Sequence, residues 1–458
     1  MVALSERKIE IVRTLVAAAP DRVVDGLQAA LAGAGADSAL ASVRRLVEVE
    51  AKDRHLRNTI LAPIVPLCVG DGRRAQGVAF PGMALAYLWK GLKALMPEGV
   101  EAAAVALYDF RPGESSPAPF DAVVKTAVAA MRAGEPREFA LVATLCDQVR
   151  PGASAQFITC LELSPVVRRA TIRLPEWSAH FNEDTMAAAR LAYRDAVGVA
   201  DDAGPTFFEM LAAQMPQPWM VLRVISAAMD KPNERWLRDS ELGAFAERLM
   251  DDIDAQTHAI LTLDTDGGEP AAIAAAKLVE LITLQVAELE STIELERETG
   301  WGHRLFKQKA AMASAVEGRI REAGKYASLS LPTQPARLRR IRRMIPRLTL
   351  APDEKAVRRC ITLLHFAREI RSSANYGGFA AARSQMIAKL GDMLDHYVEE
   401  VLDLIKTGEV ENEALAREFL AVVVEFSRLV RDDKAADLVR RRAAACHPDG
   451  PARQAARG

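Results

Sequence analysis

Apolar residues recur at steps of three or four positions along most of this chain, which is the spacing of one face of an α-helix. The longest such stripe follows Pro270. It consists of Ala271, Ala275, Leu278, Ile282, Val286, Leu289 and Ile293. The same pattern predicts helices over residues 6–32, 38–61, 83–96, 119–132, 137–149, 182–200, 242–260, 353–371, 379–406 and 411–445. Pro205 and Pro218 each suit the first turn of a further short helix.

Two short stretches have a pattern that also suits β-strands, residues 157–163 and residues 170–174. Both are isolated, and an isolated pair of strands is marginally stable. We therefore predict helix for the first stretch and loop for the second.

The composition favours the same fold class. Hydrophobic residues make up 50% of the 458 residues but aromatic residues only 5%. Alanine, the strongest helix former, is abundant, whereas strands prefer aromatic and β-branched residues. We predict an all-α protein, built as an irregular array or stacked bundles of antiparallel helices with little or no sheet.

Proline and glycine positions suggest how the helices are grouped. We predict an N-terminal helical domain over residues 1–175, a middle helical region over 176–348 and a C-terminal helical bundle over 349–446. Residues 447–458 contain proline, glycine and arginine without apolar periodicity, which is typical of a disordered tail.

Cysteine usage and hydropathy indicate a compartment. The five cysteines (Cys68, Cys146, Cys160, Cys360 and Cys446) are irregularly spaced and form no C-x-x-C pair, which favours buried free thiols in a reducing environment. The N-terminus lacks the apolar core of a signal peptide, and no apolar run reaches about 18 residues. We expect a soluble, cytoplasmic protein.

Charge is concentrated between residues 270 and 347. The far end of the helix that follows Pro270 is acidic, with Glu288, Glu290, Glu294, Glu296 and Glu298. Gly300-Trp301-Gly302 then interrupts the helix, because glycine permits a reversal of direction. The following helix is basic, with Arg304, Lys307, Lys309, Arg319, Arg321 and Lys325. A short connection favours antiparallel neighbours, so we expect the two charged faces to oppose each other.

An arginine-rich segment follows Pro332 and Pro335. It contains six arginines and no acidic residue: Arg337, Arg339, Arg340, Arg342, Arg343 and Arg347. Leu338, Ile341 and Ile345 fall at helical spacing, which predicts a short basic helix ending near Pro346. These arginines either pair with the acidic helix over 271–298 or bind an anionic partner such as a phosphate backbone, a lipid headgroup or an acidic protein. Because the net charge is −2, anion binding would depend on this local patch.

The common catalytic and metal-binding motifs do not fit the sequence. The stretch from Asp264 to Gly267 begins like a calcium loop, but its later positions lack the required glycine and glutamate, so we predict a plain turn. The Asp251-Asp252 and Asp432-Asp433 pairs lack the third aspartate of a magnesium–diphosphate D-D-x-x-D motif. His365 and His396 have nearby glutamates, but the predicted helix lengths separate them by about 15 Å. Phosphate-binding loops, nucleophile elbows and zinc spacings are absent, and we predict neither cofactor nor metal.

These patterns predict a non-enzymatic helical adaptor or scaffold that binds another macromolecule, with a protein as the expected partner. The six arginines of residues 337–347 are the predicted partner-binding residues. One alternative is a regulator that contacts nucleic acid or an anionic membrane surface through Arg337–Arg347. Another is an enzyme whose site assembles from distant segments, which sequence alone does not show. Homo-oligomer formation is left open.

Overall fold

A computed structural model describes residues 6–33, 40–72, 77–111, 113–179, 181–200, 202–229, 232–335 and 344–446. These ranges hold 20 α-helices and one two-stranded sheet, which confirms the predicted all-α fold class. The chain divides into two compact units. Unit 1 contains Met1–Pro232 and Ser240–Leu242, and unit 2 contains Asn233–Asp239 and Gly243–Gly458.

The helices of unit 1 follow one another with short connections. They are α1 (Glu6–Ala18), α2 (Asp21–Leu31), α3 (Leu40–Ile60), α4 (Gly82–Leu95), α5 (Pro97–Asp109), α6 (Ala118–Ala133), α7 (Arg137–Val149), α8 (Ala153–Thr171), α9 (Leu174–Ala179), α10 (Glu183–Val197), α11 (Ala203–Gln214) and α12 (Val221–Ala228). Short 3-10 turns lie at Val65–Leu67 and Pro218–Met220.

Helix α8 forms the centre of the unit 1 core and packs against α6, α7, α10 and α11. Its Phe157 ring is fully buried and meets Phe80 edge to face, with 4.9 Å between the ring centroids. The prediction of helix for residues 157–163 is therefore confirmed. Its buried polar residue Arg168 donates to the Ile60 carbonyl at the end of α3 and to Ser116 before α6, which links three elements.

The first helical segment is divided in a way that the sequence analysis missed. Residues 6–32 were predicted as one helix, but Pro20 separates α1 from α2. Proline has no N–H to donate to the preceding turn, so the chain restarts at Asp21 with its own first turn. Val16, Val24, Val47 and Ala51 then form a small apolar cluster among α1, α2 and α3.

Unit 2 contains longer helices and the single described sheet. Its elements are α13 (Glu234–Arg238), α14 (Gly243–Leu261), α15 (Gly268–Thr292), α16 (Gly300–Ser330), β1 (Thr333–Pro335), β2 (Met344–Pro346), α17 (Glu354–Glu369), α18 (Ala380–Thr407), α19 (Glu413–Val430) and α20 (Asp433–Ala445). The predicted final helix over 411–445 is in fact two, because the chain breaks at Arg431 and the Asp432 side chain accepts the Ala435 N–H to start α20.

Helix α17 occupies the middle of unit 2 and packs against α15, α16 and α19. An ion pair fixes its approach to the turn between α14 and α15, where Arg359 donates to both Asp266 oxygens at 3.0 and 2.8 Å. Arg359 also donates to the Tyr326 hydroxyl of α16 at 3.0 Å. The predicted turn at Asp264–Gly267 therefore takes part in helix packing through Asp266, whose pKa the hydrogen bonds from Arg359 lower.

The predicted boundaries near residues 175 and 348 lie within these units. Helices from both sides of residue 175 belong to unit 1, and elements from both sides of residue 348 belong to unit 2. The three-part grouping stays a prediction.

Most of the cysteines are buried, as the sequence analysis expected. Cys146, Cys160, Cys360 and Cys446 are buried, Cys68 is half-buried, and all five are free thiols. Burial raises the pKa of Cys146 to about 12, which disfavours the reactive thiolate form. None of the described helices combines the length and the apolar character needed to cross a lipid bilayer.

Candidate functional site

The arginine-rich segment lies mostly outside the described residues. Arg337, Arg339, Arg340, Arg342 and Arg343 belong to the stretch 336–343, so their pairing with the acidic helix stays untested. Arg347 is described: its side chain is exposed, and its backbone N–H donates to the Pro332 carbonyl at 2.9 Å.

The prediction of a helix that ends near Pro346 is wrong for residues Met344–Pro346. Met344–Pro346 form strand β2, which pairs antiparallel with β1. Pro335 and Met344, which flank the undescribed stretch, are partners in this ladder. The hydrophobic spacing predicted a helix here, but residues 333–335 and 344–346 pair as antiparallel strands, and the nearby prolines Pro332 and Pro335 favour an extended chain over a helix.

The acidic and basic helices do not face each other along their length, which corrects the predicted charged hairpin. Both α15 and α16 pack mainly against α14 and α17. The acidic helix also ends earlier than predicted, at Thr292, so Glu294, Glu296 and Glu298 lie in the connection. An ion pair does join the two helices, between Glu290 and Lys309 at 2.7 Å.

A cluster of ion pairs instead joins α14 to the start of α16. Arg304 donates to Glu247 at 3.0 Å, to Asp251 at 2.6 Å and to Asp254 at 2.7 Å. These carboxylates follow each other at steps of four and three residues, so they share one face of α14. Partial burial of Arg304 works against its charge, but the hydrogen bonds to the aspartates outweigh burial and raise its pKa.

Short helix α13 carries a buried carboxylate that caps the start of α16. Glu234 is 1% exposed. Its Oε2 accepts the backbone N–H groups of Glu296 and Gly302, both at 3.1 Å, and its Oε1 accepts that of Trp301. Thr299, the residue at the N-cap of α16, makes no side-chain cap bond, so a carboxylate from a distant segment takes that role.

Both glycines of the Gly300-Trp301-Gly302 motif are required by close approaches of other groups. Gly300 has a φ of +57°, and a Cβ there would lie 1.8 Å from Glu234 Oε1. A Cβ on Gly302 would lie 2.1 Å from the Glu296 carbonyl oxygen. The motif was predicted only as a helix break, and the close approach of Glu234 could not be read from it.

Capping and packing together fix α13 in one orientation. The Asn233 side chain accepts the Trp236 N–H at 2.9 Å, and the Glu234 N–H donates to the Glu294 carbonyl at 2.9 Å. Leu237 is fully buried. A helix of five residues is therefore held by one buried carboxylate, one cap and one apolar anchor.

The opposite side of α13 is exposed and chemically distinctive. Trp236 is 73% exposed, and Arg235 and Arg238 beside it are exposed as well. Arg238 keeps a long contact of 3.9 Å to Glu234. The sequence analysis missed this site; the Asn233 cap followed by Trp236 between two arginines was the available signal.

The two histidines considered as metal ligands lie in different surroundings. His365 is buried in α17, with Nδ1 3.5 Å from Glu269, and burial lowers its pKa. His396 is on α18, 3.9 Å from Glu400, beside a cavity of about 130 Å³ at the foot of the β1–β2 pair. In the described ranges, no group of three or more histidine, cysteine or acidic side chains is arranged to hold a metal ion.

Comparison of the chain with known protein families, with curated proteins and with solved structures gave no match.

Proposed function

We propose that the protein is a cytoplasmic helical scaffold that binds another protein, and that the exposed face of α13 is part of its binding surface. The observation that carries this proposal is Trp236, a mostly exposed tryptophan on a helix held rigidly by Glu234. Tryptophan and arginine are the residue types most enriched among those that dominate protein–protein affinity.

The energetics support a binding role for this face. A tryptophan buries roughly 150–250 Å² in all, so at about 25 cal/mol per Å² burial of the 73% of Trp236 that is still exposed would contribute about 3–5 kcal/mol. Because the backbone of α13 is already fixed, the entropy cost of ordering that backbone does not reduce this gain, although the general cost of association does. Arg235 and Arg238 can add hydrogen bonds to carboxylates or carbonyl groups of the partner.

The proposal is tested by photo-crosslinking in cells. A benzophenone amino acid placed at position 236 should give one main protein adduct, whereas the same amino acid at Tyr108, a 90% exposed aromatic residue of unit 1, should not give that adduct. With the purified partner, Trp236→Ala should weaken binding by about 30-fold or more, the size expected for a dominant interface residue. Binding should survive about 0.3 M salt, at which binding through phosphates becomes weak.

Three outcomes would contradict the proposal: the same adducts from positions 236 and 108, no adduct from position 236, or unchanged affinity in Trp236→Ala. An adduct of twice the chain mass would identify a second copy of this chain as the partner, which is the homo-oligomer left open by the sequence.

The second candidate is a regulator that contacts nucleic acid or an anionic membrane through Arg337–Arg347. It is supported by the exposed Arg347 side chain, which has no ion pair to any described residue. Replacing Arg339, Arg340, Arg342 and Arg343 with alanine should then abolish binding to duplex DNA or to anionic vesicles. Absence of binding by the wild-type protein at about 50 mM salt would exclude this candidate.

A further inference from the structure

Unit 1 contains a cleft of about 730 Å³ that the proposed protein-binding face does not use. Its walls are the turn between α1 and α2, one face of α3, the chain at residues 65–70 and the first three turns of α4. Small-molecule sites in proteins commonly have volumes of about 300–1,000 Å³. The size therefore suits an organic molecule rather than a few waters.

Charged groups line this cleft unevenly. The cationic lining residues are Arg22, Arg54, Arg57, Lys90 and Lys93, and the acidic ones are Asp21, Glu50 and Asp53. Five cations against three acids leave an excess of positive charge, so the partners of each group decide what a ligand would meet.

The carboxylates on one side are already occupied by arginines. Asp21 accepts Arg54 Nη1 at 2.7 Å, Arg57 Nη2 at 2.7 Å and Asn58 Nδ2 at 3.2 Å. Glu50 accepts Arg54 Nε at 2.7 Å. Partial burial opposes ionisation of Asp21, but the hydrogen bond from Asn58 and the two arginine charges prevail and lower its pKa.

Asp53, on the other side, is occupied by donors from α4. Its Oδ1 accepts Trp89 Nε1 at 3.1 Å, and its Oδ2 accepts Lys93 Nζ at 2.7 Å. The acidic groups of the cleft are therefore engaged with fixed donors and would not strongly repel an anion.

The arginines differ in what they have left to donate. Arg54 is used structurally, since its guanidinium also donates to the carbonyl groups of Val16, Ala17 and Ala19 at the end of α1. Arg57 is only 7% exposed and donates through Nε to Asn58 and through Nη2 to Asp21. Its Nη1 has no partner among the described residues and is not sealed from solvent.

Two further cations line the same cleft. Arg22 is exposed and forms no ion pair with any described residue. Lys90 is 3.3 Å from Glu138, and its side chain stays 69% exposed. The amino end of α4, at Gly82 and Met83, also borders the cleft and adds partial positive charge.

The remaining wall is apolar. Met83, which is 58% exposed, and the half-buried Val65 supply its accessible apolar surface, and the largely buried Leu85 and Trp89 lie behind them. A mostly apolar cavity with a few convergent polar donors is the usual composition of a small-molecule site.

From this arrangement we propose that the cleft of unit 1 binds a small organic anion, with its phosphate or carboxylate group on Arg57 and Arg22 and its apolar body on the wall formed by Met83 and Val65. A guanidinium held by a carboxylate and offering a free N–H is pre-organised for such a group, because its orientation needs no further ordering.

The test uses the full chain and phenyl phosphate as probe, with isothermal titration calorimetry at about 50 mM salt, where exposed charges are weakly screened. Phenyl phosphate should bind at one site, and phenol and inorganic phosphate should each bind at least about tenfold more weakly because each lacks half of the recognised chemistry. Benzoate, tested in parallel, distinguishes a carboxylate-selective site from a phosphate-selective one.

Variants locate the site. Arg57→Met should weaken phenyl phosphate binding by about tenfold or more, and Arg22→Met should weaken it by about threefold, since an exposed charge contributes less than a buried one. Arg173→Met is the matched control: Arg173 is a half-exposed arginine of unit 1 that pairs with Glu176 outside the cleft, and its replacement should leave binding unchanged. Arg57→Met also removes a partner of Asp21, so its circular dichroism is compared with that of the wild type to check that it folds. If it does not fold, the effect of Arg22→Met on phenyl phosphate binding tests the proposal instead.

Several results would overturn the proposal. The first is that neither phenyl phosphate nor benzoate binds at about 10 mM, the weakest affinity of interest. The second is that phenol or inorganic phosphate binds as tightly as phenyl phosphate. The third is that the cleft variants change binding no more than Arg173→Met does.

Discussion

Replacing Glu234 with glutamine should destabilise unit 2 strongly for such a small chemical change. The wild-type carboxylate is buried and accepts three backbone N–H groups, two in the first turn of α16 and one in the connection before it. Glutamine keeps one oxygen and replaces the other with an NH₂ group, which cannot accept. In one orientation the NH₂ group faces the N–H groups of Glu296 and Gly302, and in the other it faces that of Trp301.

The magnitude follows from these contacts. At least one buried N–H loses its acceptor, which costs about 1–3 kcal/mol. Loss of the negative charge at the helix N-terminus removes about 0.5–1 kcal/mol more. We expect the free energy of unfolding of unit 2 to fall by about 2–4 kcal/mol, a large part of the stability of an ordinary domain.

The assay is urea denaturation together with hydrogen exchange. With a urea dependence of about 2–3 kcal/mol per molar, the unfolding midpoint of unit 2 should fall by about 1 M. Amide exchange should accelerate in the peptide that contains Trp301 and Gly302 before the rest of α16 is affected. Glu411→Gln, at an exposed loop glutamate of unit 2, is the matched control and should change stability by less than about 0.5 kcal/mol.

An unfolding free energy of Glu234→Gln within about 0.5 kcal/mol of wild type, the scatter of neutral surface changes, would refute the capping role of Glu234. It would also remove the argument that α13 holds Trp236 rigidly, and with it the main support for the proposed binding surface.

Three further predictions concern other contacts. Gly300→Ala should destabilise unit 2 by about 2–4 kcal/mol in thermal or urea unfolding, because the φ of Gly300 is +57° and the new Cβ would displace the carboxylate of Glu234. Gly318→Ala is the control in the same helix: a Cβ there would meet no atom within 4 Å, so this change should stabilise unit 2 by about 0.5–1 kcal/mol. The pKa of Asp21 in the folded protein lies below its ordinary 3.8, so its contribution to stability is present above that pH and is lost as the pH falls through the folded pKa. In Asp21→Asn, the free energy of unfolding of unit 1, measured with urea, should therefore fall less between pH 5 and pH 3 than in the wild type. Arg304→Met should cost about 1 kcal/mol at low salt and clearly less in 1 M NaCl, because the ion pairs it breaks are largely exposed, and an effect independent of salt would contradict this explanation.

Most helices were predictable from the sequence because helix formation depends on local periodicity. The stripes at 119–132, 137–149, 353–371 and 379–406 match α6, α7, α17 and α18 closely. The cap at Asn182 was also predictable, since its partner Thr185 is only three residues away. Errors occurred where one residue changes the path of the chain, as at Pro20 and at Arg431.

The candidate sites were much less predictable, because their parts are distant in sequence. Glu234 meets Trp301 across 67 positions, and Arg54 meets the end of α1 from 37 or 38 positions away. The composition of residues 337–347 alone indicated a candidate binding segment, whereas the residues around Trp236 have no composition or spacing that predicts an exposed binding face.

The sequence by itself determined that this protein is all-α, because apolar residues at helical spacing and abundant alanine leave few other ways to bury a core. It also determined where glycine could interrupt the helices. Only the tertiary structure decided which faces meet: acidic α15 and basic α16 both pack on α14 and α17, and Arg304 pairs with α14. The physical reason is that opposite charges on exposed helix faces attract by only about 1 kcal/mol or less per pair, whereas apolar burial contributes several times more and fixes the packing first.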